Sequence, residues 1–185
     1  MDIETVFPEI HSIDDEALRT GVVSAWTIAA EENDIDIDAL EAIPWFPPSQ
    51  TRLGIASEAE TLVEHVRDVT ACAISLTEVL SERRPTLDLD LDSVIAGGIV
   101  HDVSKLYEFD GMNKTDIGDL LGHPYFGIAV AARAGLPVEL SHMILSHSPR
   151  TAVEPATLEA EILCRADQIA TASIRAPAVE DLREV

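Results

Sequence analysis

Apolar residues in this chain recur at spacings of three and four over long stretches and almost nowhere alternate, a pattern that commits it to helices. Leu62, Val66, Val69, Ala73, Leu76 and Leu80 hold that spacing up to Arg84-Pro85, so a long core helix is expected, with Ser57 as its N-cap and Glu60 three residues on. Ile13, Ala17, Val22, Trp26 and Ala29 or Ala30 predict an amphipathic helix across residues 13–30. The stretch PWFPPS at 44–49 carries three prolines and is expected to leave the helical state, connecting this first helix to the main domain. LDLDLD at 87–92 alternates, but it is short, rich in Asp and runs straight into SVIAGGIV, which predicts a loop and then a Ser-capped helix. Pro124 suits the first turn of another helix, with His123 as its cap and Gly135 as its end. Residues 137–147 form the next, stopped by Pro149, and residues 158–173 keep a helical period without a breaker. The expected fold is all-α, a core of about five helices preceded by an accessory helix. It divides into residues 1–56 (accessory helix and proline-rich connection), 57–175 (core) and 176–185 (C-terminal tail).

The 185 residues are 46% hydrophobic and only 4% aromatic, enough for one compact domain with an aliphatic core. Cys72 and Cys164 lie in apolar, helix-like stretches, so no disulfide framework is expected. The start, MDIETVFPEI, has neither a basic segment nor a long apolar one, and the apolar run at 94–100 falls far short of the roughly 20 residues that span a bilayer. A cytoplasmic protein without a membrane partner is expected. Twelve Lys and Arg against 34 Asp and Glu give a net charge of −22, spread along the chain. Such a surface repels nucleic-acid phosphates and makes long nucleic acid a poor partner. Only Lys105 and Lys114 are lysines; the composition reads as halophilic, with folding weakened at low salt by self-repulsion. Self-association is left open.

Six residues that could ligate a metal fall where a solvated polar group has little reason to be. His101-Asp102 ends the apolar VIAGGIV segment. His65 shares a helical stripe with Leu62, Val69 and Leu76, so its imidazole points into the core. Asp167 lies in the apolar band of the last helix, where an ionised carboxylate costs several kcal/mol unless something positive meets it. Arg175 is a possible organic partner, whereas Arg165, two residues away, points elsewhere. His123 and His147 sit at helix ends, and the helix dipole at His123 favours the neutral imidazole that a metal requires. Four of the six histidines thus join two aspartates. Nitrogen and carboxylate oxygen without sulfur suit Fe, Mn, Co, Ni or Zn, and six ligands exceed one tetrahedral site. Two ions sharing a carboxylate and a water or hydroxide give a nucleophile at neutral pH and a clamp for in-line displacement at phosphorus. Lys105, four residues after His101, is suited to hold a phosphate oxygen, and Arg150 after His147-Ser148-Pro149 is a candidate second anion contact. Lys114 in the Gly111 loop is a candidate border of the pocket. His142, five residues before His147, points elsewhere on its helix, and His11 precedes the main domain.

The order His65, His101-Asp102 within VHDVSK, His123, His147 and Asp167 resembles the HD-domain metal-dependent phosphohydrolases over about residues 57–175. His101, Asp102 and Lys105 look like that family's HD-x-x-K signature, with Ser104 where glycine is usual. The resemblance implies that His65, His101, Asp102 and Asp167 bind a first divalent ion and that His123 and His147 bind a second, with Asp102 bridging. It also implies catalytic roles for Asp102 and Lys105 and substrate contacts from Lys105 and Arg150. The six-ligand pattern is similar to the binuclear branch of the family, and the accessory helix with PWFPPS resembles small archaeal members. The implied reaction is hydrolysis of a small nucleotide-like or cyclic phosphate ester through a metal-bound hydroxide. Some relatives with the same ligands are di-iron oxygenases, and a non-catalytic, metal-stabilised nucleotide-binding module is a further alternative.

Overall fold

In the computed structural model, which describes residues 2–184, the regular elements are nine α-helices, several 3₁₀ turns and one small hairpin. The helices are α1 (Ile3–Val6), α2 (Glu16–Glu32), α3 (Pro47–Leu53), α4 (Leu62–Arg83), α5 (Leu91–Val100), α6 (Asp116–Leu120), α7 (Gly122–Arg133), α8 (Val138–Ser146) and α9 (Leu158–Arg175). A 3₁₀ turn, Val103–Tyr107, follows α5 and leads to β1 (Phe109–Asp110) and β2 (Asn113–Lys114), paired antiparallel with Phe109 opposite Lys114. The all-α expectation holds. Met1 and Val185, the outermost residues of the first and last expected segments, lie outside the described residues.

The centre of the molecule is α5. Its sequence, LDSVIAGGIV, is polar only in the first turn, and every residue from 94 to 100 is buried. A helix apolar on all sides has to be surrounded, and α2, α4, α8 and α9 surround it. Two glycines permit the approach. A Cβ on Gly98 would stand 3.0 Å from the Thr70 Cα on α4, and one on Gly97 would stand 2.5 Å from the Met143 Cε on α8. The Trp26 indole of α2 donates to the Ile99 carbonyl at 2.9 Å, and the Phe7 ring lies 4.6 Å from that indole. Ile3, Val6, Phe7, Ile10 and Ile13 thereby belong to the same core as α5.

Several helix ends differ from the sequence reading. Helix α4 begins at Leu62 rather than Ser57, capped by a Thr61–Glu64 box. The cause is tertiary: the Trp45 N–H donates to the Glu60 carbonyl at 3.2 Å and the Leu62 N–H to the Ile43 carbonyl at 2.7 Å, which holds Glu60 and Thr61 extended. Asp90, not Ser93, caps α5, accepting from the Ser93 N–H at 3.1 Å. The proline-rich stretch does not stay irregular, because Pro47 and Pro48 occupy the first turn of α3, where no N–H is needed. His123 is inside the first turn of α7 rather than at its cap, since Gly122 at φ +73° makes the bend that starts the helix. Gly135, at φ +74°, does end α7. Leu76 is 39% exposed and Ala17 is exposed too, so the inner stripe of α4 runs instead through Thr70, Ala73 and Thr77. Cys72 and Cys164 are free, and no helix among the described residues is long and apolar enough to cross a membrane.

Candidate metal centre

The end of α5 delivers His101 and Asp102 to a point where α4, α7, α8 and α9 each present one more residue. His65 comes from the first turn of α4, His123 from the first turn of α7, His147 from the C-terminal end of α8 and Asp167 from the middle of α9. The fold brings together all six candidates of the sequence reading. One carboxylate oxygen of Asp102 lies 3.4 Å from His65 Nε2 and 3.5 Å from His101 Nε2. The other lies 3.3 Å from His123 Nε2 and 3.7 Å from His147 Nε2. Asp167 joins the first group, with an oxygen 3.2 Å from His65 Nε2. Two triads, His65/His101/Asp102 and Asp102/His123/His147, each place their ligating atoms within 4.8 Å of one another and are buried.

Hydrogen bonds on the far side of the rings aim these atoms. His101 and His147, each just past a helix end, turn Nδ1 back on the carbonyl three residues earlier, Gly98 at 2.7 Å and Ile144 at 2.6 Å. Those carbonyls have no partner within their own helices. His123 Nδ1 pairs with Glu108 at 2.9 Å. With the proton held at Nδ1, the Nε2 lone pair is free to face inward. His101 Nε2, both ring nitrogens of His65 and one Asp102 oxygen are buried without a hydrogen-bond partner. Polar atoms are rarely left so, and unpaired imidazole nitrogens facing carboxylate oxygens across 3.2–3.5 Å are what a cation between them would satisfy. The residues present therefore fit divalent ions of the nitrogen- and oxygen-binding kind.

Electrostatics agree. Burial carries His101 down to about 4, against the pull of Asp102. Burial and then Lys105 bring His123 to about 4. Both imidazoles are neutral at pH 7, as ligation demands. Burial also depresses His65, but the carboxylates of Asp102 and Asp167 overcome it and raise that group above its usual value. Burial opposes ionisation of Asp102, yet Lys105, His101 and His123 hold its carboxyl well below the ordinary range. Asp167, desolvated but facing His65 Nε2 at 3.2 Å, is held at about 2. Asp167 faces His65 rather than Arg165, which is engaged with Glu161 at 2.8 Å.

A cavity of about 270 Å³ opens over the cluster, lined by Asp102, His123, His147 and Asp167 together with Lys105 and Arg150. Lys105, only 9% exposed, arrives on the 3₁₀ turn after α5. Its ammonium is 3.7 Å from Asp102, 5.2 Å from the Trp45 ring centre and 5.0 Å from that of Phe46. Arg150 pairs with the buried Glu108, and its guanidinium lies 5.1 Å from the Phe46 ring centre. Ser104, at the position where glycine is usual, donates its hydroxyl to the His123 carbonyl at 2.6 Å and ties the turn to α7. Lys114 is elsewhere, pairing with Asp119 on the surface at 3.9 Å. His142 accepts from the Ala156 N–H at 2.9 Å, and His11 is near Glu4.

Sequence reasoning missed Glu108, Trp45 and Phe46. Glu108 is fully buried, holds both His123 and Arg150 and is kept at about 2 by them and by Lys105 against its burial. No periodicity marks it. The aromatic pair did carry a signal, being a Trp-Phe dipeptide between prolines in a chain poor in rings.

The fold and this cluster define an α-helical metal-site protein, and the HD domain model matches residues 62–172: the chain belongs to the HD domain family. It is 30% identical over 114 residues to the dihydroneopterin 2',3'-cyclic phosphate phosphodiesterase of Methanocaldococcus jannaschii, covering 58% of this chain and 45% of that one. It is 38% identical over 108 residues to the 3'-5' exoribonuclease YhaM of Shouchella clausii, covering 49% of this chain and 32% of that one. The matched regions span less than half the length of either relative. No solved structure matches.

Proposed function

We propose that this chain is a metal-dependent phosphohydrolase, a phosphomonoesterase or phosphodiesterase acting on a small nucleotide-like or cyclic phosphate ester. The observation that carries the reading is the placement of Asp102, one oxygen toward His65 and His101 and the other toward His123 and His147. A carboxylate so shared would serve both groups of ligands if two ions were held there, with Asp167 joining His65 and His101 in the first. The ions, of Fe, Mn, Co, Ni or Zn, supply when bound an activated water at neutral pH and neutralisation of phosphate charge. The chain's own residues do the rest. Lys105, confined by Trp45 and Phe46, faces the cavity with its ammonium and stabilises charge developing on the phosphoryl oxygens. Arg150, braced by Glu108, orients the ester.

The two relatives are named for phosphodiester cleavage, one of a small cyclic phosphate and one of RNA. The net charge of −22 favours the small substrate here, because long polyanions are repelled unless salt screens the field. The same acidic composition supports a halophilic, archaeal origin and a cytoplasm of high salt. The test is metal analysis of protein purified without chelators, followed by a hydrolysis screen over cyclic and linear nucleotides at high salt, with nucleotide products separated by chromatography and free phosphate measured alongside. Two ions per chain and turnover that Asp102→Ala abolishes with helicity intact are expected. Absence of turnover on every ester would leave a metal-stabilised binding module, and turnover requiring dioxygen would make the protein an oxygenase.

A further inference from the structure

The cavity over the cluster extends along one face of α9, lined in turn by Asp167, Gln168, Thr171, Ala172 and Arg175. Residues at i, i+4 and i+8 share a helix face. Arg175 is therefore two turns beyond Asp167, roughly 12 Å along the axis. Its guanidinium is close enough to the cluster to feel the charge of Asp167. Leu182, from the C-terminal segment, also lines the cavity. Both residues fall outside the 62–172 region shared with the HD family.

Five of the ten arginines form ion pairs among the described residues; of the other five, Arg175 is the one with a guanidinium nitrogen buried without an acceptor. Arg67 pairs with Glu9, Arg133 with Glu32, Arg150 with Glu108, Arg165 with Glu161 and Arg183 with Asp181. Arg175 forms no such pair among the described residues, although the chain has 34 acidic side chains to 12 basic ones, and its Nε is buried without an acceptor. The charges it feels most are Arg52, which repels it, and Asp167, which is held against His65. Burial first, and then Arg52, lowers its pKa. A half-buried guanidinium whose buried Nε has no acceptor, beside another cation and lining the cavity, has no hydrogen-bonded anion among the described residues.

We propose that Arg175 forms a second anion subsite of this cavity, so that the substrate carries two phosphates, one at the histidine–aspartate cluster and one back along α9. The separation, less the reach of an arginine, suits two phosphates borne by a single nucleoside. That the first phosphate is hydrolysed rests on the phosphohydrolase reading; that a second one binds at Arg175 does not. A long RNA is not required, and the acidic surface opposes it.

The test is calorimetric binding of adenosine 3',5'-bisphosphate, adenosine 5'-monophosphate and adenosine 3'-monophosphate to the purified full chain at constant high salt. The bisphosphate is expected to bind about tenfold or more tightly than either monophosphate, the worth of a charge-assisted contact. Arg175→Gln is expected to abolish the difference while leaving the monophosphates unchanged, and Arg175→Lys to restore part of it. Equal affinities in the wild type, equal weakening of all three ligands by Arg175→Gln, or a lowered Tm with affinities kept would each overturn the subsite. The last result would make Arg175 a helix-end residue only. Discrimination without hydrolysis of any ester would uphold the subsite and sink the phosphohydrolase reading. Hydrolysis without discrimination would do the reverse.

Discussion

Glu108 is seven residues beyond His101 and buried, and its two oxygens divide between His123 and Arg150. It thus couples a candidate ligand to a candidate substrate contact without touching either ion position. Glu108→Gln keeps the shape but removes the charge that pulls on the His123 Nδ1 proton. Affinity for the divalent ion is expected to fall roughly 10- to 100-fold, measured by calorimetry on chelator-stripped protein, with the fold unchanged by circular dichroism. Lys105→Ala should leave ion binding intact and lower turnover about 100-fold or more, checked by comparing metal content with initial rates. The histidines and aspartates were legible one by one, because a polar residue inside an apolar stripe has to be compensated. Glu108 was not, because its 3₁₀ surroundings give no stripe to read.

Helix α5 and its neighbours turn those residues into a site. Gly98 allows α4 to cross so closely that an added methyl would sit 2.7 Å from the Thr70 hydroxyl and 3.0 Å from the Thr70 Cα. Backbone cannot yield there as a flexible side chain would. Gly98→Ala is therefore expected to cost about 1–3 kcal/mol of stability, read from denaturant unfolding, and to weaken ion binding by separating His65 from Asp102. The extended segment before α4 supplies a pH-dependent contribution. Burial, against the pull of His65, lifts Glu60 to about 7. Because that acid is harder to ionise folded than unfolded, its stability contribution is complete below about 4.5 and lost as pH rises through about 7. Glu60→Gln should be neutral at pH 5 and stabilising by at most ~1 kcal/mol at pH 8, after discounting for its exposed half, as measured by unfolding midpoints at both pH values. The six longer helices were readable from spacing, whereas the short α1, α3 and α6 were not, nor was the start of α4, which bonds from Ile43 and Trp45 set.

The whole molecule carries −22, and its self-repulsion is answered only by solvent ions. Raising salt from about 0.1 M to 1 M shortens the screening length from about 10 Å to 3 Å; Tm is expected to climb by several degrees in differential scanning calorimetry, and a flat response would remove the halophilic reading. Charge, the all-helical pattern and the identity of six polar residues at apolar or helix-end positions were contained in the order of amino acids, because periodicity and desolvation are local properties. What that order could not reveal was which oxygen of Asp102 faces which histidine, the roof of Trp45 and Phe46 over Lys105, and the unpaired Arg175 at the far end of the cavity. Those relations join residues up to 130 positions apart, Trp45 to Arg175, and arise only when α5 is packed on every side.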